Sequence, residues 1–155
     1  MQHRGISLQK NDQEEFNNIS EKLGKLSTDF SNNVLDATNK WFLILNKKSE
    51  VDGLPERVLE LMAISAHNHL KKDEEVDIKN GPWKLSLDIP TYTSFMTYAT
   101  DRNLREKLYK AFVGRASQGE KNNSQIIEEI LSLRTKQANL LGYKSWAELS
   151  LSTKM

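Results

Sequence analysis

The chain has 155 residues, enough for one sizeable core, and its 22 Lys+Arg against 21 Asp+Glu leave a formal net charge of +1. That balance supplies no long-range field favouring nucleic acid, anionic lipid or an acidic substrate. Cysteine is absent, which excludes disulfides, thiolate nucleophiles and Cys-ligated zinc.

The opening "MQHRGISLQKNDQEEF" has no apolar signal core, and no run is long enough to cross a bilayer. A cytoplasmic chain with no membrane and no nucleic-acid partner is expected, or an organellar one if a targeting segment is missing. The sequons Asn18-Ile-Ser20 and Asn122-Asn-Ser124 are then chance matches.

Phe16, Ile19, Leu23, Leu26, Phe30, Val34, Ala37 and Trp41 follow at spacings of three or four, the stripe of one long helix from about 12 to 40 with Asn11 or Asp12 as its N-cap. "WFLIL" reads as a strand. "PERVLELMAISAHNHLKK" reads as a helix opened by Pro55, with Val58, Leu61, Met62 and Ile64 or Ser65 facing inward. "KKDEEVDIKNGP" is an exposed charged loop. In "WKLSLDI", Trp83, Leu85 and Leu87 alternate with Lys84, Ser86 and Asp88, a second strand able to pair antiparallel with the first around the intervening helix.

The rest is helical. Pro90 opens "PTYTSFMTYA", and Thr100 or Asp101 caps "DRNLREKLYKAFVGRAS". Asn123 or Ser124 caps "QIIEEILSLRTKQANLL", whose broad apolar face is Ile126, Ile127, Ile130, Leu131, Leu133, Ala138 and Leu141 and whose end is marked by Gly142. Ser145 and Glu148 form a capping box for a last helix, with Leu149, Leu151 and Met155 left without an evident partner. The fold class is mostly α, long packed helices with one small antiparallel β-ribbon. Residues 1–155 read as a single helical region with no internal boundary.

Catalytic constellations are scarce. The histidines are His3, His67 and His69, and no H-E-x-x-H occurs. His67 and His69 point roughly 200° apart on a helix, and the i,i+4 pair His69 and Asp73 falls where the helix gives way to the charged loop. The carboxylate pairs Glu14-Glu15, Glu74-Glu75 and Glu128-Glu129 read as solvated faces. Gly114-Arg-Ala-Ser-Gln-Gly119 has phosphate-loop spacing, but Glu120-Lys121 stands where Lys-Ser/Thr is needed, and a helix precedes it instead of a strand. Arg102, Arg105, Lys107, Lys110 and Arg115 make a basic helix interleaved with Asp101 and Glu106, too balanced for a phosphate backbone. No residue is assigned a catalytic or metal-binding role, and substrate-binding positions are left open.

"KLSTDFSNNVLDATNKW", "GPWKLSLDIPTYTSFMTYATDRNLREKLYKAFVGRAS" and "NNSQIIEEILSLRTKQANLLGYKSWAELSLSTKM" together resemble the zinc-dependent oligopeptidase family, that of thimet oligopeptidase and oligopeptidase A, from about Gly5 to Met155. The resemblance implies part of a two-lobed helical peptidase fold with a deep channel for short peptides, an internal segment lying ahead of the catalytic domain. It implies zinc in the complete enzyme, held by H-E-x-x-H and a later glutamate that have no counterpart here, so this chain binds none. Its partners would be the remaining catalytic part and short peptide substrates. Tyr92 or Tyr98 would contact substrate if exposed on the channel wall. The competing reading is a stand-alone helical binding or assembly module.

Overall fold

The structure, a computed structural model, describes residues 5–6, 8–71, 76–152 and 154. Its elements are α1 (Lys10–Lys40), β1 (Phe42–Leu45), α2 (Glu56–Leu70), β2 (Trp83–Ser86), α3 (Ile89–Tyr98), α4 (Arg102–Val113), α5 (Ser124–Leu140) and α6 (Trp146–Leu151), with short 3-10 turns at Lys48–Glu50 and Gly119–Lys121. The chain is mostly helical with one two-stranded antiparallel sheet, as the periodicities require. It forms two compact units, Met1–Asn33 with Gly119–Met155, and Val34–Gln118.

In the first unit, α1 buries Phe16, Ile19 and Leu26 from the expected stripe. The helix begins at Lys10, so Asn11 and Asp12 sit in its first turn and neither is the N-cap. Two buried polar side chains tie α1 to the α5 segment. The Gln137 Nε2 donates to Ser20 Oγ at 2.8 Å, and that hydroxyl donates to the Phe16 carbonyl. Asn123 occupies the N-cap position of α5 but makes no side-chain cap bond; its Oδ1 accepts from Asn33 Nδ2 at 2.8 Å and its Nδ2 donates to the Phe30 carbonyl at 3.1 Å. Asn122 caps instead, its Oδ1 accepting from the Ser124 amide and hydroxyl. Lys22 and Glu129 add an exposed ion pair.

Truncating Asn123 removes the partner of the half-buried Asn33 amide and a second donor to the Phe30 carbonyl, so Asn123→Ala is expected to lose about 1–2 kcal/mol, read by chemical denaturation. A change within ~0.5 kcal/mol, the range of surface substitutions, would show that these bonds contribute nothing net.

α5 ends as its glycine dictates. Gly142 takes φ +81, its amide bonds to the Asn139 carbonyl and the Tyr143 amide to the Ala138 carbonyl, the paired closure of a Schellman motif. The Ser145 hydroxyl accepts from the Glu148 amide, while the Glu148 carboxylate reaches the Lys144 amide, one residue before the expected box partner. α6 then buries Leu149, correcting the expectation that it lacks a partner, whereas Leu151 is exposed and Met155 lies outside the described residues. The α5 face is narrower than expected: Ile127 and Leu131 are exposed, and Gln137 and Ala138 are buried.

In the second unit, β1 pairs with β2 antiparallel, Phe42 opposite Ser86 and Leu45 opposite Trp83. Trp83, Leu85 and Leu87 are each 1 % exposed or less and form the centre of the core with Leu45, Met62, Phe95 and Leu108. The Trp83 indole N–H donates to the Ile78 carbonyl, so the loop ahead of β2 packs at its inner end and is not wholly solvated; residues 72–75 of that loop lie outside the described residues. α2 presents Met62, Ala63 and Ala66 to this core, with Val58 and Leu59 packed at its margin, while Leu61 and Ile64 are exposed. Met62 and Val58 face the core as expected, whereas Ala63 and Ala66 take the places expected of Leu61 and Ile64. Ala63 and Ala66 bring the helix close to its neighbours, which turns the bulkier Leu61 and Ile64 outward.

β2 stops at Ser86 because the following residues build the start of α3. Asp88 is the N-cap of α3, its Oδ1 accepting from the Thr91 amide at 3.0 Å and its Oδ2 from the Ser86 hydroxyl. Partial burial pushes this carboxyl up, but the hydrogen bonds from Ser86 and Thr91 outweigh that and hold it below the usual carboxylate value. A depressed folded pKa adds stability that is present above the unfolded value and is lost as pH falls through the folded one. Asp88→Ala should therefore lower stability by about 1 kcal/mol at neutral pH, with the gap to the native chain narrowing as pH falls below about 4. A gap constant from pH 7 to pH 3 would contradict the charged-cap assignment.

Candidate functional site

The candidates raised by the sequence are scattered. Tyr92 is half-buried on α3 and stacks on Phe112 of α4, centroids 3.8 Å apart and planes at 17°. Tyr98, at the other end of α3, is 52 % exposed. The His69 ring packs edge-on against Phe42 at 4.3 Å, which makes it part of the α2 to β1 contact. His3 and Asp73 lie outside the described residues.

The glycine-flanked stretch after α4 is a helix end. Gly114 is the C-cap, where a Cβ would stand 2.9 Å from the Lys110 carbonyl, and the Ser117 hydroxyl donates to the Gly114 carbonyl. Asp101 caps the start of α4 by accepting from the amides of Asn103 and Leu104. Glu106 pairs with Lys110 one turn on, and the hydrogen bond and charge of that lysine hold its carboxyl below the usual value.

Arg115 is the interaction that spacing did not reveal. Its guanidinium lies 3.6 Å from the Phe112 ring centroid, its Nε donates to the Phe112 carbonyl, and its Nη1 donates to Thr38 Oγ1, a residue 77 positions earlier. Tyr92 takes one face of Phe112 at stacking distance, so the guanidinium occupies the other.

Among the grooves on the described residues of the second unit are two beside its helices. One, about 470 Å³, runs beside Arg57, Val58, Glu60, Leu61, Ile64 and Pro90. The other, about 530 Å³, is lined by Lys40, Trp41, Lys110, Arg115 and the turn that follows. Among the described residues no three His, Cys, Asp or Glu side chains are placed to hold a metal ion.

Residues 95–155, from within α3 to the chain end, match the model of peptidase family M3. Over 151 residues, 97% of the chain, the sequence is 46% identical to the probable cytosolic oligopeptidase A of Arabidopsis thaliana. The chain belongs to peptidase family M3. The organellar (chloroplastic/mitochondrial) oligopeptidase A of the same plant is also 46% identical over 97% of the chain, and oligopeptidase A of Escherichia coli (strain K12) is 40% identical over 97%. The chain spans 21%, 19% and 22% of those relatives, about a fifth of their length. Among the described residues no helix is long and apolar enough to cross a membrane.

Proposed function

We propose that this chain is the non-catalytic scaffold of a zinc-dependent M3 oligopeptidase that hydrolyses short peptides, with the zinc ligands and general base carried by another part of the longer protein. One observation carries this reading: 46% identity extends over 97% of a chain that contains no H-E-x-x-H. Identity over nearly the whole chain, without the motif, fits a segment that serves through its packing. In the complete enzyme zinc would polarise the scissile carbonyl and activate water.

The partners are then the catalytic remainder and short peptides, in the cytoplasm or an organelle. The helices after Pro90 would contribute to the channel wall, with Tyr98 as the aromatic available to substrate. Sequencing the coding DNA past codons 1 and 155 tests this. An open frame running downstream into H-E-x-x-H is the expected result. A stop codon directly after Met155 would overturn the reading in favour of a stand-alone helical module.

A further inference from the structure

The basic helix set aside for its balanced charge ends at a groove whose charge is not balanced. Lys40, the last residue of α1, Lys110 in the last turn of α4, and Arg115 just beyond it all line the same 530 Å³ groove, and no Asp or Glu is among its lining residues. In a chain with a net charge of +1, three cations on one concave wall are a local concentration. Glu106 neutralises Lys110 in part, from one turn back on α4.

Arg115 is held ready. Phe112 and Thr38 engage two of its five N–H groups and the Phe112 ring fixes its plane, which leaves three donors in a rigid fork. The turn that carries it is strained: Ala116 sits at φ +51 and is 8% exposed, a left-handed conformation that a non-glycine residue adopts only when the surroundings impose it. That turn places Ser117 and Gln118 on the groove beside Arg115. Half-buried Trp41 supplies an apolar wall on the same groove.

We propose that this groove binds the carboxylate of a short peptide, Arg115 and the two lysines taking the anion and Trp41 covering the adjoining apolar side chain. A planar fork beside two point charges matches a carboxylate, and an aromatic wall next to it suits a peptide more than a small inorganic anion. That the carboxylate arrives on a peptide rests on the peptidase reading; the anion itself rests on the charge of the groove.

The test is calorimetric titration of the full chain, at low ionic strength, with N-acetyl-Ala-Ala-Ala-Leu as the free acid and as the C-terminal amide. A third peptide, amidated and with an internal glutamate, separates a terminal carboxylate from a side-chain one; binding by either supports the site and assigns the source. The free acid is expected to bind about tenfold more tightly than its amide, and the Lys40→Gln, Lys110→Gln double variant to lose about tenfold with helicity unchanged. Glu106→Gln, which frees Lys110, should tighten binding about twofold. No heat from any carboxylate peptide, equal affinity for acid and amide, or affinity unmoved in the double variant would overturn the proposal. The titration reads binding alone, so its failure beside an open frame into H-E-x-x-H would remove the groove and leave the peptidase reading standing.

Discussion

Trp83→Ala is expected to lower the stability of the second unit by about 3–5 kcal/mol, the largest effect of any single truncation in this chain. Trp83 is 1% exposed, sits opposite Leu45 across the ribbon, and joins the cluster that holds Met62, Leu85, Leu87, Phe95 and Leu108. Removing it leaves a cavity the size of an indole and orphans the Ile78 carbonyl, which accepts its N–H. Gly81 packs against the same ring, with a virtual Cβ only 2.7 Å from Cε3, so the loop before β2 loses its seat as well. Trp83→Phe keeps much of the volume and should recover about half of the loss. Urea denaturation followed by circular dichroism measures both, and a loss near 1 kcal/mol or less for Trp83→Ala would mean that this cluster is not the organising core.

Gly53→Ala should be nearly as damaging, at about 2–4 kcal/mol, for a different reason. Gly53 adopts φ +84, and a Cβ there would stand 2.3 Å from the Tyr98 carbonyl, a backbone atom that no rotamer change can move. The close approach is reinforced on both sides. The Thr100 amide donates to the Asp52 carbonyl at 3.0 Å and the Thr100 hydroxyl to the Asp52 carboxylate at 2.9 Å, pinning the end of α3 to the turn before α2. Gly142→Ala is the control, since Gly142 also has a positive φ but nothing within 4 Å of its virtual Cβ. If the two substitutions prove equally costly, conformation alone is at work and the steric contact with Tyr98 is not.

The parts of this fold that the sequence makes legible are those set by local periodicity. The alternation of Trp83, Leu85 and Leu87 against Lys84 and Ser86 fixes which side of β2 faces the core, and the α1 stripe marks Phe16, Ile19 and Leu26 as inward. Gly142 and Ser145 signal a helix end and a helix start through backbone chemistry that needs no partner. Where two faces of a helix both carry apolar residues, periodicity no longer decides. On α2 the small side chains of Ala63 and Ala66 win the interior over Leu61 and Ile64, because close helix packing favours small residues at the contact. Long-range polar bonds leave no local trace. Asn123 reads as a cap and Arg115 as one charge of a basic helix, yet each is fixed by residues 77 to 93 positions away. The peptidase reading was legible only by resemblance, since no motif spacing in this sequence points to a catalytic constellation.

A chimera tests most directly whether these residues serve as oligopeptidase scaffold. In it, the matching segment of Escherichia coli oligopeptidase A is replaced by this chain, which is 40% identical to it over 156 residues. Hydrolysis of an internally quenched short peptide is then followed with and without a metal chelator. The predicted result is chelator-sensitive cleavage with kcat/KM within about tenfold of the parent enzyme, and no cleavage by this chain alone. A chimera that folds with the parent's helicity but fails to cleave, or peptide cleavage by the isolated chain, would contradict it.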